Sequence, residues 1–163
     1  MANTTFEIVK KKPYRAVGLK WDGPWSDIQQ LKQVIQTMSE RAGELEGRVE
    51  PNMQLGLSYH ERPDGFTHYS AYEVTEEQPV PEGMIEKYIP ELTYFVTNHE
   101  KGADIGETYY KISRWLLESE YKAYTEPNVV YFEDALPIKH EKYPHDRDLQ
   151  NPHFEIWIPV VKK

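Results

Sequence analysis

The residues with most chemical promise lie in Asn151-Pro-His-Phe-Glu-Ile-Trp-Ile-Pro-Val-Val161. Strand side chains alternate between faces, so Phe154, Ile156, Ile158 and Val160 share one side, and His153, Glu155, Trp157 and Pro159 the other. The first side is core. The second sets a carboxylate beside an indole, which suits the wall of a ligand cleft. Asn128–Ala135 alternates as well, with Val129, Tyr131 and Glu133 opposite Val130, Phe132 and Asp134. If Val130 and Phe132 back a helix, then Tyr131, Glu133, Glu155 and Trp157 converge on the open face. Two carboxylates close together in a desolvated cleft resist ionisation, and such a group can bind a cation or act as general base on water. Glu155 and Glu133 are therefore the candidate catalytic residues, weighed against the plainer reading of solvated strand carboxylates.

Other aromatics are placed to complete a cleft. Tyr59, Tyr69 and Tyr72 come from two strands in the first half. On Phe66–Thr75 either Phe66, His68, Ser70 and Tyr72 or Tyr69, Ala71 and Glu73 faces the cleft, and alternation leaves both open. Trp115, three residues beyond Ile112, is either core or ligand wall. Leu136–Pro152 reads as a long polar loop at the cleft mouth, with Tyr143 as its contribution to a ligand. His99 ends a strand before a helix, where it either bonds the turn or serves as acid–base. His140, His145, Asp146 and His153 do not have a spacing that puts two metal ligands on one face, and no Cys joins them, so no metal and no cofactor is expected. There is no Gly-rich phosphate loop and no nucleophile elbow.

The elements that must position these groups follow from periodicity. Phe6–Val9 and Tyr14–Trp21 read as strands, the second broken by Asp22-Gly23-Pro24. A helix follows, capped by Ser26 with Gln29, its stripe Ile28, Leu31, Val34/Ile35 and Met38. Met53–Glu61 and Phe66–Thr75 are strands joined at Arg62-Pro-Asp-Gly65. After an acidic connector, Glu76–Gly83, the order repeats. Glu91–His99 is a strand, and Asp104 with Glu107 caps a helix buried through Ile105, Tyr109, Ile112 and Leu116. Asn128–Ala135 and Phe154–Val161 are the closing strands. The prediction is an α+β fold of duplicated strand–helix–strand–strand modules, about 6–76 and 84–161. The mainly antiparallel sheet carries two helices on one face, with a ligand cleft between the halves.

The totals set bounds. The 163 residues suit one domain. With no Cys, disulfides and thiolate metal sites are excluded, and a reducing cytoplasm is the expected compartment. Met1–Phe6 lacks the pattern of a signal peptide, and no apolar run approaches the ~20 residues of a membrane span. A net charge of −8 argues against direct nucleic-acid binding. The 12 Tyr offer apolar bodies with polar handles, as half-buried pocket walls require.

Several stretches together resemble the GyrI-like small-molecule-binding domain, also found as the effector-binding domain of AraC-type bacterial activators. They are Pro13-Tyr14-Arg15-Ala16-Val17-Gly18, Gly23-Pro24-Trp25, Ile89–Val96 with His99 and Gly102, Tyr109–Ile112 with Trp115-Leu116, and Glu155–Val160. The resemblance covers nearly the whole chain. It implies binding of a bulky aromatic, often cationic compound between aromatic walls and a buried Glu. It also brings in a subfamily that hydrolyses cyclopropanoid DNA-alkylating compounds. Glu155 matches the closing motif, and Glu133 matches the pocket Glu if the penultimate strand is Asn128–Ala135. An alternative is an acidic protein-interaction module that inhibits a DNA topoisomerase.

Overall fold

The computed structural model describes residues 5–132 and 135–163. Among these, nine strands pair antiparallel in one sheet: β1 (Phe6–Lys11), β2 (Tyr14–Pro24), β3 (Met53–Arg62), β4 (Gly65–Val74), β5 (Ile85–Ile89), β6 (Leu92–His99), β7 (Tyr121–Ala123), β8 (Ile138–Pro144) and β9 (Phe154–Lys162). Helix α1 (Ile28–Glu40) follows β2, and α2 (Ile105–Glu118) follows β6. The sheet order is β1-β6-β9-β8-β3-β4-β2-β5, with β7 continuing the β8 side of β9. Each half thus runs first strand, third strand, second strand from its outer edge inward (β2-β4-β3 and β6-β9-β8), and β3 pairs with β8 at the seam.

Register fixes which side chains meet the helices. Val17 lies opposite Tyr72, Gly56 opposite Ser70 and Glu141, and Ile156 opposite Glu141 and Thr97. Paired residues share a face, so all of these look the same way. On that side α1 buries Leu31 and Met38 against two clusters, one with Val17, Tyr72 and Val74 and one with Trp21 and Phe66. Helix α2 buries Ile112 and Leu116 against Phe95, Phe154, Ile156, Ile158 and Val160. Between these two apolar cores the seam strands present Gln54, Gly56, Ser58 and His60, and Lys139, Glu141 and Tyr143. The side of the seam away from the helices is apolar: Leu55, Leu57, Tyr59 and Ile138 pack with Ala16, Ala71 and Ile89, partly covered by Tyr124 and Tyr131. The core therefore changes sides at the centre of the sheet, leaving a polar stripe between the helices. Arg15, buried, ties down the connector after β4 by donating from Nη1 to Thr75 O at 3.1 Å and Gln78 O at 2.6 Å.

Several expectations need correction. Asn128–Ala135 is not a strand over its described part: Asn128 has φ of 64°, and Val130 and Phe132 are exposed rather than backing a helix. The penultimate strand is β8, inside the stretch read as a loop. Strands β5 and β7 lie in segments to which periodicity assigned no element. Helix α1 starts behind a short 3-10 turn, Trp25–Asp27, and has no side-chain cap from Ser26. Asp104 does cap α2, accepting from Gly106 N at 3.3 Å, but Ile105 is exposed rather than buried.

Candidate functional site

Glu141 stands at the centre of the polar stripe. Gly56 lies across from it on β3, so the carboxylate has no side chain beside it on that strand, while Ile156 lies across from it on β9. Tyr109, from α2, donates its phenol proton to Glu141 Oε2, and Tyr143, two residues along β8, donates to Oε1. The Tyr143 ring packs on Phe154 with centroids 5.0 Å apart, anchoring it to the α2 core. Burial pushes the Glu141 carboxyl above the ordinary carboxylate range, against the opposing pull of the two phenols and Lys139. Burial also drives both phenols well above their usual value, helped by the adjacent carboxylate. Lys139 lies with Nζ 3.0 Å from His60 Nε2 and 5.6 Å from the Tyr109 ring centre.

A groove runs along α2 beside this trio. One hollow of about 280 Å³ is walled by Tyr109, Tyr110, Ser113, Leu136 and Lys139. It shares Ser113 and Ala135 with a more apolar hollow of about 330 Å³ toward Leu117 and Tyr121. The second hollow is larger; neither has a carboxylate in its wall, but the first is walled by Tyr109, whose phenol bonds Glu141, and by Lys139. On the opposite side of the stripe, Trp25 stands 55% exposed over Phe66 and His60, at centroid distances of 4.9 and 5.9 Å. The arrangement offers a desolvated anion between aromatic walls, with room beside it for fused or branched rings.

The sequence-predicted residues fall in three places. Tyr143 joins Glu141 on the helix side, in a strand rather than a loop. Tyr72 is on that side too, but buried under α1, with its hydroxyl 2.6 Å from His145 Nε2. Trp115 belongs to the core beyond α2, packed against Phe6, Phe95 and Tyr121. Glu155, Trp157, Tyr59 and Tyr69 all face away from the helices. There Trp157 Nε1 donates to Glu155 at 2.9 Å, Lys142 covers the indole at 4.6 Å, and Tyr59 bonds His140 at 3.0 Å. Tyr131 lies on a loop over that face and bonds Glu126 at 3.1 Å. Of the residues expected to converge on an open face, Glu155 and Trp157 share a side of the sheet whose centre is filled core, with Tyr59 only 3% exposed. Glu133 itself lies outside the described residues. His99 bonds Thr108 Oγ1 at 2.8 Å, the turn role. No group of three acidic or His side chains is placed to hold a metal among the described residues, and no helix there is long and apolar enough to cross a membrane. Glu141 and Tyr109 were missed as site residues; an acidic residue flanked by Lys139 and Tyr143 was their only local signal.

Two strand–helix–strand–strand halves thus meet in one sheet, with a polar seam that carries Glu141 and Lys139 between the helices. Residues 7–160 match the family described as Cass2, integron-associated effector binding protein, and the chain belongs to that family. It is similar to the transcriptional regulator BrlR of Pseudomonas aeruginosa, 33% identical over 119 residues, which are 71% of this chain and 43% of the regulator. The chain thus matches less than half the length of that relative. Its fold is similar to that of SAV2435, solved bound to tetraphenylphosphonium, with a TM-score of 0.64 at 13% identity, covering 96% of this chain and 94% of that one. It is also similar to a hydrolase from Listeria innocua, with a TM-score of 0.63 at 11% identity, covering 97% and 92%.

Proposed function

We propose that this protein binds a bulky aromatic cation in the groove between α2 and the seam, with Glu141 as the counter-charge. The observation that carries the reading is the Glu141 carboxylate, desolvated and held by two phenols beside a hollow of ring size. Aromatic walls supply apolar area and ring faces for the cation, and the carboxylate supplies the charge that water no longer screens. Tetraphenylphosphonium, the ligand of SAV2435, is a fitting probe.

The test is a titration with tetraphenylphosphonium and with neutral triphenylphosphine oxide from about pH 8 to about pH 5. Only ionised Glu141 attracts the cation, and its pKa in the fold is raised. Affinity for the cation therefore falls as pH drops through a window above the ordinary carboxylate value of 4.5, while the neutral probe is unaffected. Equal pH dependence for both probes, or none for either, would sink the reading.

The raised carboxyl favours one second reading, hydrolysis of a cyclopropanoid electrophile. Water would attack a cyclopropane carbon and give its proton to Glu141. The breaking C–C bond would send its electron pair to a conjugated carbonyl, which takes up a proton as the ring opens. Mass spectrometry after incubation with such an alkylator separates the readings: a product heavier by one water supports hydrolysis, and recovery of the intact compound supports binding alone.

A further inference from the structure

The apolar hollow farther along α2 has no role in the cation reading. It measures about 330 Å³, and Leu116, Leu117, Tyr121, Ala123 and Pro137 supply its apolar wall. Ser113 and Ala135 line it and the hollow beside Glu141 alike, so the two adjoin along the helix. Tyr109, Ser113 and Leu117 stand at i, i+4 and i+8 on one stripe of α2. At the rise of an α-helix that stripe spans about 12 Å, from the phenol on Glu141 to the far wall. Leu117 is 76% exposed, the highest value for a large hydrophobic side chain among the described residues. A single exposed Leu is ordinary, but here it walls an apolar hollow that opens from a ligand groove. The Tyr121 ring opposite is held by stacking on Trp115, with centroids 5.8 Å apart.

Polar groups of this wall are already engaged within the protein. Ser113 Oγ donates to Tyr109 O at 3.2 Å, Lys163 Nζ donates to Leu117 O at 3.0 Å, and Pro137 O accepts from His60 N at 2.9 Å. What the hollow offers an incoming group is therefore apolar area. Lys122 and Lys163 also line it, and no acidic side chain among the described residues does, so a second positive charge is repelled there. We propose that the two hollows form one bipartite site whose ligand is an amphiphilic monocation, with its aromatic, charged head beside Glu141 and a neutral apolar arm laid along α2 against Leu117. The inference rests on the cation reading above. It narrows the ligand class to cations that carry their charge at one end of a long apolar body.

Methyl-, butyl- and decyl-triphenylphosphonium share one head and differ only in the arm, so they test it when titrated below their micelle concentrations. Wild-type affinity is expected to rise with chain length, by about 100-fold from methyl to decyl, well short of what full burial of the chain would give. Ala123 pairs with Val160, a core residue beneath α2, so its side chain points to the helix side. Ala123→Phe therefore fills the hollow from β7 and should lose most of the gain while keeping the affinity for the methyl probe. Leu117→Gln, at an exposed position where folding is not at stake, should weaken the decyl probe by about fivefold and leave the methyl probe unchanged. In the wild type, the methyl signals of Leu117 and Ala123 should shift in the NMR spectrum with the decyl probe and not with the methyl one. Equal affinity of methyl and decyl probes for the wild type, or a gain that survives undiminished in both folded variants, overturns the second hollow as a subsite and leaves the cation site standing. Failure of every probe to bind the wild type overturns the groove reading, and the bipartite site with it.

Discussion

Glu141→Gln lowers the affinity for tetraphenylphosphonium by about 100-fold and leaves that for triphenylphosphine oxide within about twofold of wild type, the loss expected when one partner of a desolvated charge pair is neutralised. Gln keeps the shape of the side chain, and its carbonyl still accepts from a phenol, so the walls of the groove stay as they are. Only the charge is lost, and only a charged ligand registers it. Calorimetric titration of both probes into both proteins decides. Glu155→Gln, across the sheet, is the control and should match wild type. Glu141→Gln should also be more stable than wild type at neutral pH. The folded-state pKa of Glu141 is raised, so the native state holds its proton to a higher pH than the unfolded chain does. Stability from this group is therefore present below the unfolded value and is lost as pH rises through the folded one. Gln does not titrate, so the difference in Tm between variant and wild type should shrink as the solution is acidified. A variant less stable than wild type at neutral pH would mean that the phenol bonds outweigh burial.

Gly18→Ala is expected to destabilise the fold by about 3 kcal/mol, at the upper end of overpacking costs. Gly18 pairs with Ala71 on one side and Ile85 on the other. A Cβ there would lie 2.0 Å from Ser70 O and 2.5 Å from Ala71 Cα. Both are backbone atoms and cannot rotate aside, so β2 would have to draw away from β4 along a pairing that runs from Arg15 to Pro24. At roughly 2–4 °C per kcal/mol for a chain of this size, Tm should fall by about 6–12 °C. Gly43→Ala, where nothing lies within 4 Å of the new methyl, is the comparison and should melt at or slightly above wild type. Equal melting of the two variants would show that the strands can part without strain.

The sequence made most of the frame legible. Strands with one apolar face, such as β9, declared themselves by alternation, and both helices by their stripes. What failed was the strand that matters most. In β8 one side reads Lys139, Glu141, Tyr143 and the other Ile138, His140, Lys142, so neither is plainly apolar, and Pro137 and Pro144 bound it like a loop. Val129–Phe132 alternated well and turned out to be a surface segment, because alternation alone does not reveal whether a neighbouring strand is present to pair with. Tyr109 was legible as part of a buried stripe, but its phenol could be given a partner only once β8 was known to lie beneath it. Glu155 and Trp157 were correctly placed on one face of one strand; the error lay in taking that face for the open one, since the sheet turns its apolar side away from the helices only at the seam. That reversal depends on register across four strands and leaves no mark on any one of them.

The two phenols on Glu141 act as a built-in rival to any ligand. A compact ammonium ion carries charge but little apolar surface, and it must displace hydrogen bonds that are already in place and already shielded from water. It gains little by doing so. A large aromatic cation brings ring area to the groove, and that burial offsets the loss of the phenol contacts. In the proposed site, potassium, polyamines and lysine side chains are therefore expected to bind far more weakly than charge presented on a hydrophobic body. Replacing Tyr109 by Phe would relax that filter before it weakened the site, admitting smaller cations that the wild type rejects.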